Sequence, residues 1–304
     1  MRIAATRRLP GPAFERLEPV LLAELPPAEP LVGIEALVVT NDEVDDAVLE
    51  LLPDVRVVAN FGVGYDRVDV DACRSRGVLV TNTPGVLDAA TADLAFGLLL
   101  ATERRIVSGD RLVRKGEWQA GWAAGELAPE VTGSTLGIVG LGRIGTAVAR
   151  RAAGFDLNLL YTKRVRLDEA AEESLEAEWC SLDELLARAD AVTLHVPLTA
   201  DTRGLLDERR LSLLRDGAVL VNTARAELVE RQPLVRELQS GRLCAGLDVF
   251  WDEPTVPEEL IGLENVVLTP HIGSATVTAR HAMTKLVVDN VLAVLAGRAP
   301  LTPV

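Results

Sequence analysis

The sequence predicts an α/β protein of two doubly wound parallel-sheet domains. Three observations predict it. Short apolar runs alternate with amphipathic stretches over residues 1–100, and the alternation resumes from Thr135. Strands alternating with helices imply parallel sheets covered on both faces. A glycine-rich turn, Gly140-Leu-Gly142-Arg-Ile-Gly145, opens the second block between a strand and a helix. Finally, 304 residues are more than one domain of ordinary size needs.

The first block predicts strands at Arg2–Thr6, Ala36–Thr40, Val55–Ala59 and Val78–Asn82, with helices at Ala13–Glu24, Asp42–Leu52 and Val68–Arg76. Asn60-Phe-Gly62-Val-Gly64-Tyr65 follows a strand, and its two glycines suit either a loop that turns backbone amides into a cleft or an ordinary strand-to-helix turn. Thr91–Arg105 is a strongly apolar stretch, expected to be a buried helix linking the domains. Residues 106–134 show little periodicity. They carry Trp118 and Trp122 among Gly116, Gly121 and Gly125, as an irregular arm would. Tryptophans there suit a subunit interface or core packing.

In the second block, Thr135–Val139 is a buried strand, and Ile144, Ala147, Val148 and Arg151 fall at helical spacing. Strands follow at Leu157–Tyr161, Ala191–Val196, Ala218–Asn222, Cys244–Leu247 and Val266–Thr269. Helices lie at Leu182–Ala189, Glu208–Leu214 and Pro233–Ser240. Thr276–Arg298 is one long amphipathic helix expected to return to the first domain. Unusual polar residues gather at the strand C-termini, where open α/β sheets bind ligands.

The glycine-rich turn fits a dinucleotide. One glycine makes the tight turn, one lets backbone N–H groups approach a pyrophosphate, and one lets helix and strand pack closely. The helix N-terminus adds unpaired donors. An NAD site places an acidic residue at the end of the next strand, about twenty positions on. Here that strand ends in Tyr161-Thr162-Lys163-Arg164-Val-Arg166, a hydroxyl and three cations with no acid. That set suits a 2′-phosphate, so NADP(H) is expected over NAD(H).

Composition narrows the partners. Net charge is −14, which argues against nucleic acid or an anionic membrane as general partners. Cys73, Cys180 and Cys244 are odd in number and far apart, as in a reduced, cytoplasmic protein. The N-terminus has charges where a signal peptide needs an apolar run, and no apolar run is long enough to span a membrane. No metal-ligand spacing occurs.

Arg225, Glu253 and His271 stand out for chemistry, each after a predicted strand end. Histidine exchanges protons near neutral pH. A carboxylate such as Glu253 would fix its tautomer and stabilise the imidazolium. Arg225 could clamp a substrate carboxylate and polarise a carbonyl. His195 and His281 fit structural roles by themselves.

Ordered motifs across nearly the whole chain carry a family resemblance. They are Phe61-Gly-Val-Gly-Tyr-Asp66, Asn82-Thr-Pro-Gly-Val86, Thr91-Ala-Asp-Leu-Ala95, Gly137–Gly145, His195-Val-Pro-Leu198, Asn222-Thr-Ala-Arg225, Gly246-Leu-Asp-Val-Phe250, Glu253-Pro254 and Thr269-Pro-His-Ile-Gly-Ser-Ala-Thr276. The chain resembles the D-isomer-specific 2-hydroxyacid dehydrogenases, most of all their glyoxylate/hydroxypyruvate reductase branch. The resemblance implies a Rossmann-type dinucleotide domain (100–282) inserted in a flavodoxin-like substrate domain (1–99 and 283–304), with a cleft between them and a homodimer.

The resemblance also implies residue roles. Arg225 orients the keto acid, His271 donates the proton and Glu253 pairs with it. The backbone at Val63 and Gly64 holds the substrate carboxylate, and Asp248 faces the nicotinamide carboxamide. Further cofactor contacts are expected from Thr91, Gly140, Gly142, Arg143, Ile144, Gly145, Thr162, Lys163, Arg164, His195, Val196, Pro197, Thr202, Thr223, Ala224 and Gly273. Ala226 stands where the family usually has glycine, and Glu230 where it usually has aspartate, which leaves the loop near Arg225 less defined.

The expected activity is NADPH-dependent reduction of glyoxylate and hydroxypyruvate to D-2-hydroxy acids, or achiral glycolate from glyoxylate. A dinucleotide-sensing corepressor-like protein and a relative acting on phosphite or another 2-keto acid are the alternatives.

Overall fold

The computed structural model describes residues 2–119 and 127–304. The chain divides into two compact units, residues 1–88 with 274–304, and residues 89–273.

The first unit is a five-stranded parallel sheet in the order β2-β1-β3-β4-β5. Its strands are β1 (Arg2–Ala5), β2 (Val20–Leu21), β3 (Ile34–Val39), β4 (Val57–Asn60) and β5 (Leu79–Thr81). Every residue of β4 is buried, as expected of a strand covered on both faces. Val48 and Leu49 of α1 (Asp46–Glu50) and Cys73 of α2 (Val70–Ser75) join the cluster on one face. The side chains of Asp45 and Asp69 cap these helices by accepting from the Val48 and Ala72 amides. The long helix α11 (Val277–Leu295) packs against β3 and β4 with Met283, Val287, Val288 and Val291 buried. This is the flavodoxin-like strand order.

The helix expected at Ala13–Glu24 does not form. A 3₁₀ turn covers Pro12–Leu17, and β2 follows. Pro19 offers no N–H and disfavours the right-handed helix at Glu18, which turns to φ 43°. The chain beyond is therefore free to extend and pair Val20 with Ala4 at the sheet edge. The helix expected from Asp42 starts only at Asp46, because Val44 is held in a bridge to Val68.

The second unit is a seven-stranded parallel sheet in the order β12-β11-β10-β9-β6-β7-β8. The strands are β6 (Thr135–Val139), β7 (Asn158–Thr162), β8 (Ala177–Trp179), β9 (Ala191–Leu194), β10 (Val219–Asn222), β11 (Cys244–Leu247) and β12 (Val266–Leu268). Helices α5 (Arg143–Ala152), α6 (Glu169–Leu175), α7 (Leu182–Arg188), α8 (Glu208–Leu213), α9 (Arg231–Gln239) and α10 (Glu258–Ile261) connect them. The strand order reverses between β6 and β9, as in a Rossmann fold.

The apolar helix α3 (Asp88–Glu103) belongs to this second unit. A Cβ on Gly246 of β11 would come within 2.9 Å of the Leu98 Cβ, and the Thr102 hydroxyl reaches the Ala245 carbonyl at 3.5 Å. The units therefore divide at 88/89 and 273/274, earlier in the chain than the expected 99/100 and 282/283. Similarly, α11 lies entirely in the first unit.

The stretch expected to be irregular begins with a helix, α4 (Ile106–Arg114). Arg105, at φ 52°, separates it from α3, and none of its residues is buried. Trp118 is 68% exposed, so core packing within the chain does not account for it. Trp122, Gly121 and Gly125 lie outside the described residues.

Candidate active site

Parallel register builds the site. Thr162, Val139, Leu194, Asn222, Leu247 and Leu268 are paired neighbours across the sheet, so six strands end level. The residues that follow line one edge, the carboxyl edge where such sheets bind ligands.

At the switch point, Gly140 follows β6 with φ 95°. A Cβ there would meet the His195 carbonyl oxygen at 2.7 Å, so only glycine fits. Gly142 caps α5 with no side-chain hydrogen bond, and a Cβ on it would meet nothing within 4 Å. The start of α5 is thus a set of uncapped donors beside open space, which fits a pyrophosphate. The Thr223 hydroxyl, just past β10, is buried and has no hydrogen-bond partner among the described residues. A bound dinucleotide could satisfy it.

His195 follows β9 on the other side of the switch point. Its Nε2 lies 2.9 Å from the Thr193 hydroxyl, and burial lowers its pKa to about 4. The ring is therefore neutral at physiological pH, which supports a structural role for the side chain. Val196 and Pro197 continue the loop. The Thr202 hydroxyl donates to the Pro197 carbonyl at 2.7 Å and closes that loop.

Past β7, no acidic residue stands at Thr162, Lys163 or Arg164, and the two cations form no ion pair among the described residues. Arg166 is different. Its guanidinium forks onto Glu172 at 2.7 and 2.8 Å, so it is withdrawn from the expected trio. Glu172 also accepts from the buried Tyr161 phenol, and the phenol oxygen accepts from the Leu167 amide at 2.9 Å. Arg166 and the phenol hold the Glu172 carboxyl down to about 2. This network pins the far end of the loop that presents Lys163 and Arg164.

The His271 side chain meets Glu253. Nδ1 lies 2.7 Å from Oε2, and Oε1 accepts from the Phe250 amide at 3.0 Å. Burial by itself would raise the Glu253 carboxyl. The His271 hydrogen bond and charge, the Phe250 amide and the Arg225 charge overcome it and hold the pKa below the usual value. The Glu253 side chain is 16% exposed while that of His271 is 40% exposed, so the imidazole faces outward from its carboxylate.

His271 adopts φ 52°, an uncommon backbone for a residue with a Cβ. Asp248, fully buried after β11, holds it there. Its carboxylate accepts from the Thr269 hydroxyl at 2.7 Å and from the Ile272 and Gly273 amides at 2.8 Å each. Burial raises the Asp248 pKa despite these bonds and the His271 charge. Gly273 packs tightly on both Asp248 and Thr91.

Arg225 follows β10. Asn222 secures its turn by donating to the Arg225 carbonyl at 2.7 Å and accepting from the Ala224 amide at 3.0 Å. Ala226 opens a 3₁₀ turn, Ala226–Leu228, whose right-handed backbone accepts alanine in place of glycine. Glu230 starts α9.

In the first unit, the Phe61–Tyr65 loop follows β4, with Val63 and Gly64 half-buried. Asn60 and Asn82 hold it by side-chain bonds to its carbonyls. Sequence motifs do not single out these two residues as functional, nor Tyr161 and Glu172. For Asn60 the available signal was a polar side chain closing a fully buried strand.

The family model described as D-isomer specific 2-hydroxyacid dehydrogenase, NAD binding domain, matches residues 96–273. A glyoxylate reductase of Pyrococcus horikoshii is 49% identical over 275 residues, covering 88% of this chain and 82% of that protein. The crystal structure of the TT0316 protein of Thermus thermophilus matches with TM-score 0.90 and 44% identity over 100% of both chains. An NADPH-dependent glyoxylate/hydroxypyruvate reductase of Sinorhizobium meliloti, solved with NADP and malonate, matches with TM-score 0.90 and 36% identity. That match covers 100% of this chain and 96% of the other.

A dinucleotide fold with a histidine–carboxylate pair and an arginine on its carboxyl edge defines a nicotinamide-dependent dehydrogenase. The chain belongs to the D-isomer-specific 2-hydroxyacid dehydrogenase family, in its glyoxylate/hydroxypyruvate reductase branch, and acts on 2-keto acids.

Proposed function

We propose that the protein reduces glyoxylate and hydroxypyruvate with NADPH in preference to NADH, giving glycolate and a D-2-hydroxy acid. The observation that carries this reading is the His271–Glu253 pair at 2.7 Å beside Arg225. Lys163 and Arg164 form no ion pair among the described residues, and with no acid at the strand end they support the NADPH preference. The relatives whose names specify glyoxylate or hydroxypyruvate support the substrates.

A nicotinamide held at this edge would supply hydride chemistry toward the keto carbon. Because Nδ1 is committed to Glu253, His271 has Nε2 free to protonate the forming alkoxide. Glu253 keeps the imidazole oriented through its contact with Nδ1. Arg225 clamps the keto acid and offsets charge developing on its oxygen. The Val63 and Gly64 amides hold the substrate carboxylate. The uncapped start of α5 would hold the pyrophosphate, and Lys163, Arg164 and the Thr162 hydroxyl would hold a 2′-phosphate.

A homodimer fits the exposed apolar side chains of α4 and beyond, Ile106, Val113 and Trp118. A cytoplasmic location fits the free cysteines, and no helix among the described residues is long and apolar enough to cross a membrane.

The test is a panel of 2-keto acids assayed with NADPH and NADH separately. Fastest turnover of glyoxylate or hydroxypyruvate with NADPH supports the reading. Absence of cofactor oxidation across the panel overturns it in favour of dinucleotide sensing.

A further inference from the structure

We infer that Asn60 and Asn82 are positioning residues that turn three successive peptides of the Phe61–Tyr65 loop, so that the Val63, Gly64 and Tyr65 amides all face the substrate carboxylate. This rests on the proposed role of Val63 and Gly64, and it adds the Tyr65 amide as a third donor.

Three successive carbonyls of the loop, those of Gly62, Val63 and Gly64, are engaged by the two asparagine side chains. The Asn60 side chain, 5% exposed at the end of β4, donates through Nδ2 to the Gly64 carbonyl at 2.8 Å and the Gly62 carbonyl at 3.2 Å. The Asn82 side chain, just past β5, donates to the Val63 carbonyl at 2.9 Å. The Thr83 amide adds a second bond to the Gly62 carbonyl, also at 2.9 Å.

A trans peptide is planar, and its C=O and N–H point in opposite directions. Fixing the Gly62 carbonyl therefore fixes the Val63 N–H on the opposite side. The Val63 carbonyl does the same for the Gly64 N–H, and the Gly64 carbonyl for the Tyr65 N–H. None of these three N–H groups has a partner among the described residues. Successive free amides of this kind bind anions.

Side-chain amides suit this task. They donate to carbonyls while staying neutral beside an anion site. The Asn82 brace is itself anchored deep in the first unit. The Thr302 hydroxyl donates to the Asn82 carbonyl at 2.7 Å, and the fully buried Asn290 of α11 donates to that hydroxyl at 2.8 Å. Loop orientation thus depends on α11 and the C-terminal segment.

The experiment compares full-length Asn60→Ala, Asn82→Ala and Gly64→Pro enzymes with wild type. Steady-state kinetics use glyoxylate and its uncharged methyl ester, and NADPH binding is read by fluorescence. Both asparagine variants should raise KM for glyoxylate about tenfold or more with kcat within about threefold, the signature of lost uniform binding. KM for the ester and the Kd for NADPH should stay unchanged, which a merely structural role would not produce.

If Gly64→Pro raises the glyoxylate KM and the asparagine variants do not, the positioning role is wrong and the carboxylate assignment stands. If Gly64→Pro also leaves it unchanged, the carboxylate assignment itself fails. Equal losses with acid and ester overturn the positioning role. Should either alanine variant fail to fold, Thr302→Val probes the same brace from its anchor. A raised glyoxylate KM with an unchanged ester KM supports the brace, and an unchanged acid-to-ester ratio overturns it.

Discussion

Replacing Glu253 by glutamine tests the proton donor through its partner. The carboxylate uses both oxygens, one on His271 at 2.7 Å and one on the Phe250 amide at 3.0 Å. Glutamine has a single acceptor, so either the imidazole or the amide must face an N–H group. A hydrogen bond to a charged group contributes about 1.5–3 kcal/mol, and a buried donor left unpaired costs about 1–3 kcal/mol. A loss of roughly 3 kcal/mol in the transition state lowers kcat about a hundredfold.

Glu253 is held ionised at neutral pH by His271, Phe250 and Arg225. Steady-state rates with glyoxylate and NADPH, with NADPH affinity measured separately, supply the check. A kcat within about threefold of wild type would refute the pairing as a catalytic device.

Neutralising Lys163 and Arg164 together should raise KM for NADPH about tenfold or more and leave KM for NADH within about twofold, because only the 2′-phosphate is lost as a partner. An equal effect on both cofactors removes the 2′-phosphate assignment. Tyr161→Phe should weaken NADPH selectively but less, since it loosens the loop and leaves both cations. The same pair of KM measurements reads it. Asp248→Ala should cost about 2–4 kcal/mol of stability by orphaning the Ile272 and Gly273 amides. Melting measured beside turnover should show both falling together. The Glu253 carboxyl titrates below its ordinary value, so its contribution to stability is complete at neutral pH. That contribution is lost as pH falls below the ordinary carboxylate range, and acid melts of wild type and Glu253→Gln should converge there.

The second domain was the more legible. Its strands alternate with helices in long, apolar runs, and Gly140–Gly145 marks the switch point directly. Arg225, Glu253 and His271 were visible as polar residues just past strand ends, since parallel register sets those ends level. Elements of a few residues were not legible. β2 lies inside a helical pattern that Pro19 interrupts. β8 and α6 are too short for their periodicity to stand out, and α4 buries none of its residues. Pairing was also hidden. Arg166 looked like a third phosphate ligand until Glu172, on the next helix, was seen to bind it. Asn60 and Asn82 act through carbonyls of a loop whose backbone direction the sequence does not specify.

The most direct measurement is oxidation of NADPH and of NADH by glyoxylate, in wild type and in His271→Ala. The predicted result is faster turnover with NADPH, and a fall of about two or more orders of magnitude in the variant while NADPH binds normally. Equal use of both cofactors, or near wild-type turnover without His271, would contradict it.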